Sequence, residues 1–227
     1  MANGIEAVVF DVDNTLMDFS KMKHTCISAA IDAMIEKGLP ASKEDATRIT
    51  FDIYNREGYE YQEIFKPVLK QIVGEIDWKL LATAVIAYRK EKQKHMHPYP
   101  KVRSTLAALR ERSIKLAVLT DAPHFQAYTR LADLDLLYSF DAIVTHEDTY
   151  LRKPNPAPFM MALERLGVKP EKALMLGDWP EKDIAGAKTV GMKTALAKYG
   201  SMNGHVKDEP KADYELDDIS DLLKIIT

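Results

Sequence analysis

The sequence predicts a doubly wound α/β protein, a parallel sheet with helices on both faces, interrupted by a small all-helical domain. Three observations carry that prediction. Beyond residue 100, short apolar runs alternate with helix-period segments, which implies right-handed crossovers and a parallel sheet. A first run lies far upstream at Ile5–Phe10, continuously apolar rather than alternating, as a strand buried on both faces requires. Between the two, from about residue 20 to residue 96, apolar residues keep helical spacing and strand candidates are few. The expected division is an α/β core of residues 1–17 and 99–227 around a helical domain of residues 18–98.

Each element has a local reason. The first strand stops at Asp11-Val12-Asp13-Asn14-Thr15. In the helical stretch Ile27, Ala30, Ile31 and Met34 share a face; Gly38 ends that helix in the left-handed conformation and Pro40 keeps it from resuming. Ser42 and Asp45 have capping-box spacing, with Asp where Glu or Gln is usual, and Asp77 is placed to cap the last helix. After His97-Pro98-Tyr99-Pro100, Val102, Leu106 and Leu109 mark a helix and Ile114–Leu119 a strand. Phe125–Leu131, Pro158–Leu166 and Ile184–Val190 read as helices, alternating with strands at Ala142–Thr145, Ala173–Leu176 and Thr194–Ala197. The tail from Lys207 to Asp218 is charged and carries no predicted element, while Ile219, Leu222, Leu223 and Ile225 form the face of a final helix.

Composition narrows the class. At about 150 residues per domain, 227 residues allow one large domain or a core with a smaller insertion. An apolar share of 46% with only 10 Gly and 11 Pro excludes collagen-like and low-complexity chains. A net charge of −3 argues against a protein built to grip the phosphate backbone of nucleic acid. The single cysteine, Cys26, cannot form an internal disulfide, which fits a reducing cytoplasm. The opening MANGIEAVVF lacks the basic segment of a signal peptide, and no apolar run approaches the ~18 residues of a spanning helix. The expectation is a cytoplasmic monomer or homodimer without nucleic-acid or membrane partners.

In an open parallel sheet, ligands bind beyond the carboxyl ends of the strands. There the sequence puts Asp11 and Asp13, then Thr120 and Asp121, then Lys153, then Gly177, Asp178 and Asp183. Carboxylates crowded at one rim repel and are costly to bury unless a cation neutralises them. Hard oxygen donors of this kind suit Mg²⁺, which takes a few carboxylates together with substrate phosphate and water, and the lysine is a point charge for the same phosphate. Each feature also has a plain alternative. Asp11 and Asp13 read as a polar loop, Thr120 as a cap, Lys153 as a solvated loop residue, Gly177-Asp178 as a turn and Asp183 as a first-turn helix acid.

The ordered set Asp11-Val12-Asp13-Asn14-Thr15, Leu119-Thr120-Asp121, Lys153-Pro154-Asn155-Pro156 and Gly177-Asp178 with Asp183 resembles the four motifs of the haloacid dehalogenase superfamily of phosphatases. The helical insertion is similar to that superfamily's cap, and the core to its Rossmann-like core. The resemblance implies Asp11 as the nucleophile that forms an aspartyl-phosphate, and Asp13 as the acid that protonates the leaving alcohol and later the base for water. It implies Thr120 and the backbone N–H of Asp121 as phosphate ligands, with Lys153 offsetting charge on the nucleophile and the phosphoryl group. Mg²⁺ would be held by Asp11, Asp178 and the backbone carbonyl of Asp13, with Asp183 orienting the lysine or a water on the cation. An Asp at position 13 favours phosphate esters over carbon–halogen bonds, because a leaving alkoxide needs a proton and a halide does not.

The insertion starts directly after the nucleophile loop and is expected to cover the site as a lid. Asp18, His24, Tyr54, Arg56, Tyr59 and Tyr61 are its candidate specificity residues, with ordinary helix surface as the alternative. The implied activity is Mg²⁺-dependent hydrolysis of a small organic phosphate, a sugar phosphate or a short acid or aldehyde phosphate. A sugar phosphomutase is the near alternative. A 2-haloacid dehalogenase and a phosphoreceiver module stand further off, since a receiver lacks the helical insertion and carries its acceptor after a middle strand. His95, His97, the Arg89–Lys92 run, the Met160-Met161 pair, Cys26 and Trp179 read as surface or packing residues.

Overall fold

A computed structural model describes residues 4–200 and 210–226. The start of the N-terminal segment, residues 1–3, and the part of the charged tail at residues 207–209 lie outside the described residues. The chain divides into two compact units, Met1–Asp18 with His97–Thr227, and Phe19–Met96. The first unit opens with β1 (Ala7–Phe10), and the chain then enters the second unit as α1 (Phe19–Glu36), α2 (Lys43–Glu57), α3 (Phe65–Val73) and α4 (Trp78–His95). It returns as α5 (Val102–Glu111), β2 (Lys115–Leu119), α6 (His124–Asp133), β3 (Ala142–Val144), α7 (His146–Thr149) and α8 (Pro156–Leu166). β4 (Ala173–Gly177), α9 (Ala185–Thr189), β5 (Lys193–Ala197), β6 (Tyr214–Leu216) and α10 (Leu222–Ile225) complete it. Among the described residues no helix is long and apolar enough to cross a membrane.

The sheet is wholly parallel, in the order β3-β2-β1-β4-β5-β6. From β1 the chain adds strands on one side and then, at β4, on the other, so the strand order reverses between β1 and β4. That reversal opens a crevice at the carboxyl ends of the two strands. The register sets it level: Phe10 lies between Val118 of β2 and Leu176 of β4. β1 and β4 are buried on both faces, hence their unbroken apolar sequences. On one face Ala7, Val9, Ala117, Leu119 and Met175 pack with Phe159, Leu163 and Leu166 of α8, every second residue of each strand.

Two elements differ from expectation. The charged tail contains β6, paired in parallel with β5, with Ala195 opposite Tyr214 and Ala197 opposite Leu216. It is a short edge strand in which only Leu216 is buried, so its flanking charges hide the pattern. Asp213 anchors it, its Oδ2 accepting from the Thr194 N–H at 2.8 Å and the Thr194 hydroxyl at 2.9 Å. The helix expected over Ile184–Val190 is present as the short α9, Ala185–Thr189, but it is entered through an unexpected wide π-type turn, Pro180–Ile184.

The helical unit has its own core, in which the α1 stripe Ile27, Ala30, Ile31 and Met34 meets Ile53 of α2, Val68 and Leu69 of α3 and Leu80 and Ala84 of α4. Its ends are capped where the sequence indicates. Gly38 has φ +97°, and the N–H of Leu39 reaches back to the Met34 carbonyl at 3.0 Å. Ser42 Oγ accepts from the Asp45 N–H at 3.0 Å. Asp77 Oδ1 accepts from the N–H groups of Lys79 and Leu80, at 2.8 and 3.1 Å. Asp77→Ala orphans both donors and lowers the stability of this unit by about 1 kcal/mol, read as a shift in its urea midpoint; an unmoved midpoint contradicts the capping role.

Candidate active site

Asp11 is the first residue past β1, and its N–H extends the ladder to the Leu176 carbonyl of β4 at 2.9 Å. The chain then turns tightly: Val12 is buried, its carbonyl accepts from Leu16 at 2.8 Å, and Asn14 adopts φ +57°. Gly200, just beyond β5, seats this turn, since a Cβ there would lie 1.5 Å from the Asn14 carbonyl oxygen. Lys153 arrives from the segment before α8, followed by a cis bond to Pro154. Its buried ammonium donates to Asp11 Oδ1 at 2.7 Å and to Asp183 Oδ1 at 2.6 Å, and stands 3.4 Å from the Leu119 carbonyl.

Asp183, 1% exposed, is held from its other oxygen by the N–H of Trp179 at 3.0 Å. It reaches this place because residue 177 is glycine: a Cβ at Gly177 would lie 2.2 Å from Asp183 Oδ2. Asp11, Asp178 and Asp183 each offer a carboxylate oxygen, and these atoms all lie within 4.8 Å of one another. Thr120 is buried at the end of β2, its hydroxyl accepting from the Ala122 N–H at 3.1 Å. Asp121 has a role beyond its backbone, because its Oδ1 accepts from the backbone N–H of Lys153 at 2.9 Å and fixes the lysine's segment. Asp11, Thr120, Asp121, Lys153, Asp178 and Asp183 therefore come together at one rim.

The electrostatics follow from burial. Burial, with Asp183 and Asp13 adding to it and Lys153 opposing, pushes the Asp11 carboxyl from an ordinary 3.8 up to about 7. Burial, then Asp11 and Asp183, push Asp178 to about 8. At Lys153 burial works against the charge, yet Asp11, Asp183 and Asp121 outweigh it and hold the ammonium above its usual range. Three carboxyls facing one ammonium carry more negative charge than the site can hold ionised, and their donors are all hard oxygens. Such a set fits a divalent cation of the Mg²⁺ type.

Asp13 is held elsewhere. Arg130 of α6 donates from Nη1 to both of its carboxylate oxygens, at 2.7 and 2.6 Å. No motif marks Arg130, but the sequence carries a signal: it falls on the buried stripe of α6 with Ala127 and Leu131, where an unpartnered charge is costly.

Of the remaining candidates, His24, Tyr54 and Tyr59 gather around Phe51 of the helical unit. Asp18 is half-buried at the end of the first unit's opening segment. In the helical unit, exposed His24 stacks on Phe51 with ring centroids 4.3 Å apart, Arg56 and Tyr59 are exposed, and Tyr61 is half-buried. Tyr54 is a core residue rather than a surface one, 1% exposed, stacked on Tyr59 at 5.5 Å and lying 4.5 Å beneath the ammonium of Lys23. Trp179 is exposed, and Lys182 sits over its ring.

A doubly wound sheet with an acid-lined, lysine-bridged crevice at its switch point defines an α/β enzyme that works on an anionic group. Comparison with known proteins makes this specific. The family model "Haloacid dehalogenase-like hydrolase" matches residues 8–197. The chain is 37% identical to a glyceraldehyde 3-phosphate phosphatase of Methanopyrus kandleri, over 98% of this chain and 97% of that one. It is 32% identical to the enzyme of the same name from Methanothermobacter thermautotrophicus, over 98% of this chain and all of the other. A crystal structure of a HAD phosphatase from Thermococcus onnurineus superposes with a TM-score of 0.70 at 29% identity, covering 97% of each chain. The chain belongs to the haloacid dehalogenase-like hydrolases, and among them to the phosphatases.

Two predictions follow from the geometry. Gly177→Ala drives a methyl group into the Asp183 carboxylate, costing about 1–3 kcal/mol of stability and, through the displaced lysine, about 10²-fold in activity; calorimetry and turnover read both, and a fully active variant contradicts the tight approach. The second concerns pH in the presence of chelator. Above 3.8 and up to about 7 to 8, folded Asp11 and Asp178 retain protons that the unfolded chain has lost, so stability falls as pH rises through that window. Asp45, Asp148, Asp218 and Asp221 are shifted downward and act below that window. Tm is therefore expected to be lower at about pH 8 than at about pH 5; a Tm that climbs over this range refutes the reading.

Proposed function

We propose that this chain is a Mg²⁺-dependent phosphatase that hydrolyses small organic phosphate monoesters through an aspartyl-phosphate on Asp11. The reading covers sugar phosphates and short-chain acid or aldehyde phosphates. Full-length likeness to glyceraldehyde 3-phosphate phosphatases supports the three-carbon end of that range. The observation that carries it is the single buried ammonium shared by Asp11 and Asp183, at 2.7 and 2.6 Å, with Asp178 in the same acid cluster. Its lone, buried cysteine supports a reducing cytoplasm as the setting.

Asp11, Asp178 and the backbone carbonyl of Asp13 would hold Mg²⁺, which when bound supplies the positive charge that keeps the carboxylates ionised and offsets charge on the phosphoryl group. Asp11 attacks phosphorus, a task its oxygen can perform because Lys153 both orients it and opposes its protonation. Thr120 and the N–H of Asp121 hydrogen-bond the phosphoryl oxygens, and Lys153 draws charge from the same group. Asp13 gives its proton to the leaving alkoxide, then takes one from the water that cleaves the aspartyl-phosphate. Asp183 steers Lys153. Asp18, His24, Arg56, Tyr59 and Tyr61 select among esters, with Tyr54 supporting them from the core of the helical unit.

The test is a panel of phosphate esters assayed for free phosphate with Mg²⁺ and with chelator, alongside Asp11→Asn and Arg56→Ala. Activity is expected only with the cation, reduced about 10³-fold or more by Asp11→Asn and re-ranked among esters by Arg56→Ala. Turnover that survives Asp11→Asn removes the covalent route. An isomeric sugar phosphate in place of free phosphate makes the chain a mutase.

A further inference from the structure

We infer that Arg130 is a positioning residue for the Asp13 acid/base, an inference that rests on the phosphatase reading above. Asp13 stands on a turn, three residues past the end of β1 and two past Asp11, and its side chain is 25% exposed. A carboxylate so placed has several rotamers available, and proton transfer demands one of them. Arg130 supplies the restraint: its side chain is 7% exposed, and Nη1 contacts both Asp13 oxygens, at 2.7 and 2.6 Å. Its helix, α6, begins directly after Thr120–Pro123, so one loop-and-helix segment carries both a phosphate ligand and the group that aims the acid. The pairing also places an anion against the buried guanidinium, which burial of a cation demands.

The contact leaves acceptor sites on each carboxyl oxygen for proton exchange. In the first half-reaction a bond forms from Asp11 to phosphorus, the ester P–O bond breaks, and the Asp13 proton moves to the departing oxygen, giving the alcohol. In the second, Asp13 takes a proton from water as its oxygen bonds phosphorus and the bond from phosphorus to Asp11 breaks. Arg130 touches neither the substrate nor the phosphoryl group in these steps. It holds the carboxyl where both transfers happen.

The test uses the full chain with Mg²⁺ and two esters, glycerol 3-phosphate, whose alkoxide must be protonated, and 4-nitrophenyl phosphate, whose phenolate leaves unaided. kcat/KM reports the step that expels the leaving group. Arg130→Gln is expected to lower kcat/KM by about 10²-fold for the glycerol ester and by only about threefold for the nitrophenyl ester, with KM little changed. Arg130→Lys, which retains charge and stem, keeps the same split at smaller size; it carries the test should the Gln variant not fold. Equal losses on both esters, or no loss on either, overturn the inference while leaving the phosphatase reading intact. An unmodified chain inert to both esters removes that reading, and this inference with it.

Discussion

The first unit is organised around one ammonium group and the carboxylates it holds in place. Lys153 bonds Asp11 and Asp183 at the crevice between β1 and β4, with Asp178 in the same cluster. Any carboxylate buried alone there would protonate, and the upward shifts of Asp11 and Asp178 are the measure of how little charge the protein alone can neutralise. The lysine satisfies part of the demand. It leaves a deficit of positive charge that suits a divalent cation and, after it, an anionic substrate.

Holding that cluster requires backbones to approach more closely than side chains permit, and three glycines mark where. Gly177 clears room for Asp183. A Cβ at Gly186 would lie 2.4 Å from the Phe159 ring and 3.1 Å from Pro154, so its absence lets α9 close against the segment that delivers Lys153. Gly200 lets the chain beyond β5 press on the Asn14 carbonyl, in the turn between Asp13 and Thr15. Each contact brings two segments of the first unit closer than a side chain would allow. These approaches act together with the loops' own hydrogen bonds, such as that from the Lys153 N–H to Asp121 and that from the Trp179 N–H to Asp183.

How much of this the sequence disclosed depends on whether the signal was local. β1 and β4 were legible because strands buried on both faces must be apolar throughout, β2 and β5 because all but their first residues are buried, and the caps at Ser42 and Asp77 because capping needs one side chain at a fixed offset. β6 escaped because an edge strand buries few residues and its pairing with β5 is decided by tertiary contact. The rim residues were readable from their places after strands. The side-chain duty of Asp121 and the pairing of Arg130 were not, since each joins positions far apart in sequence. The half-legible clue was Arg130 itself, a cation on an apolar helix stripe, which requires an anion without saying which.

That pairing explains how two acids separated by one residue can be given different work. Asp11 and Asp13 leave β1 on either side of buried Val12, and each meets its own cation, Lys153 for the first and Arg130 for the second. Had both carboxylates faced the lysine, they would have competed for it. With separate partners the lysine's pull opposes protonation of the nucleophile, while its neighbour is held by a different cation at a different place. Lysine suits the buried position, where a compact charge must sit between two acids, and arginine suits the turn, where a planar group reaches both oxygens of one carboxylate.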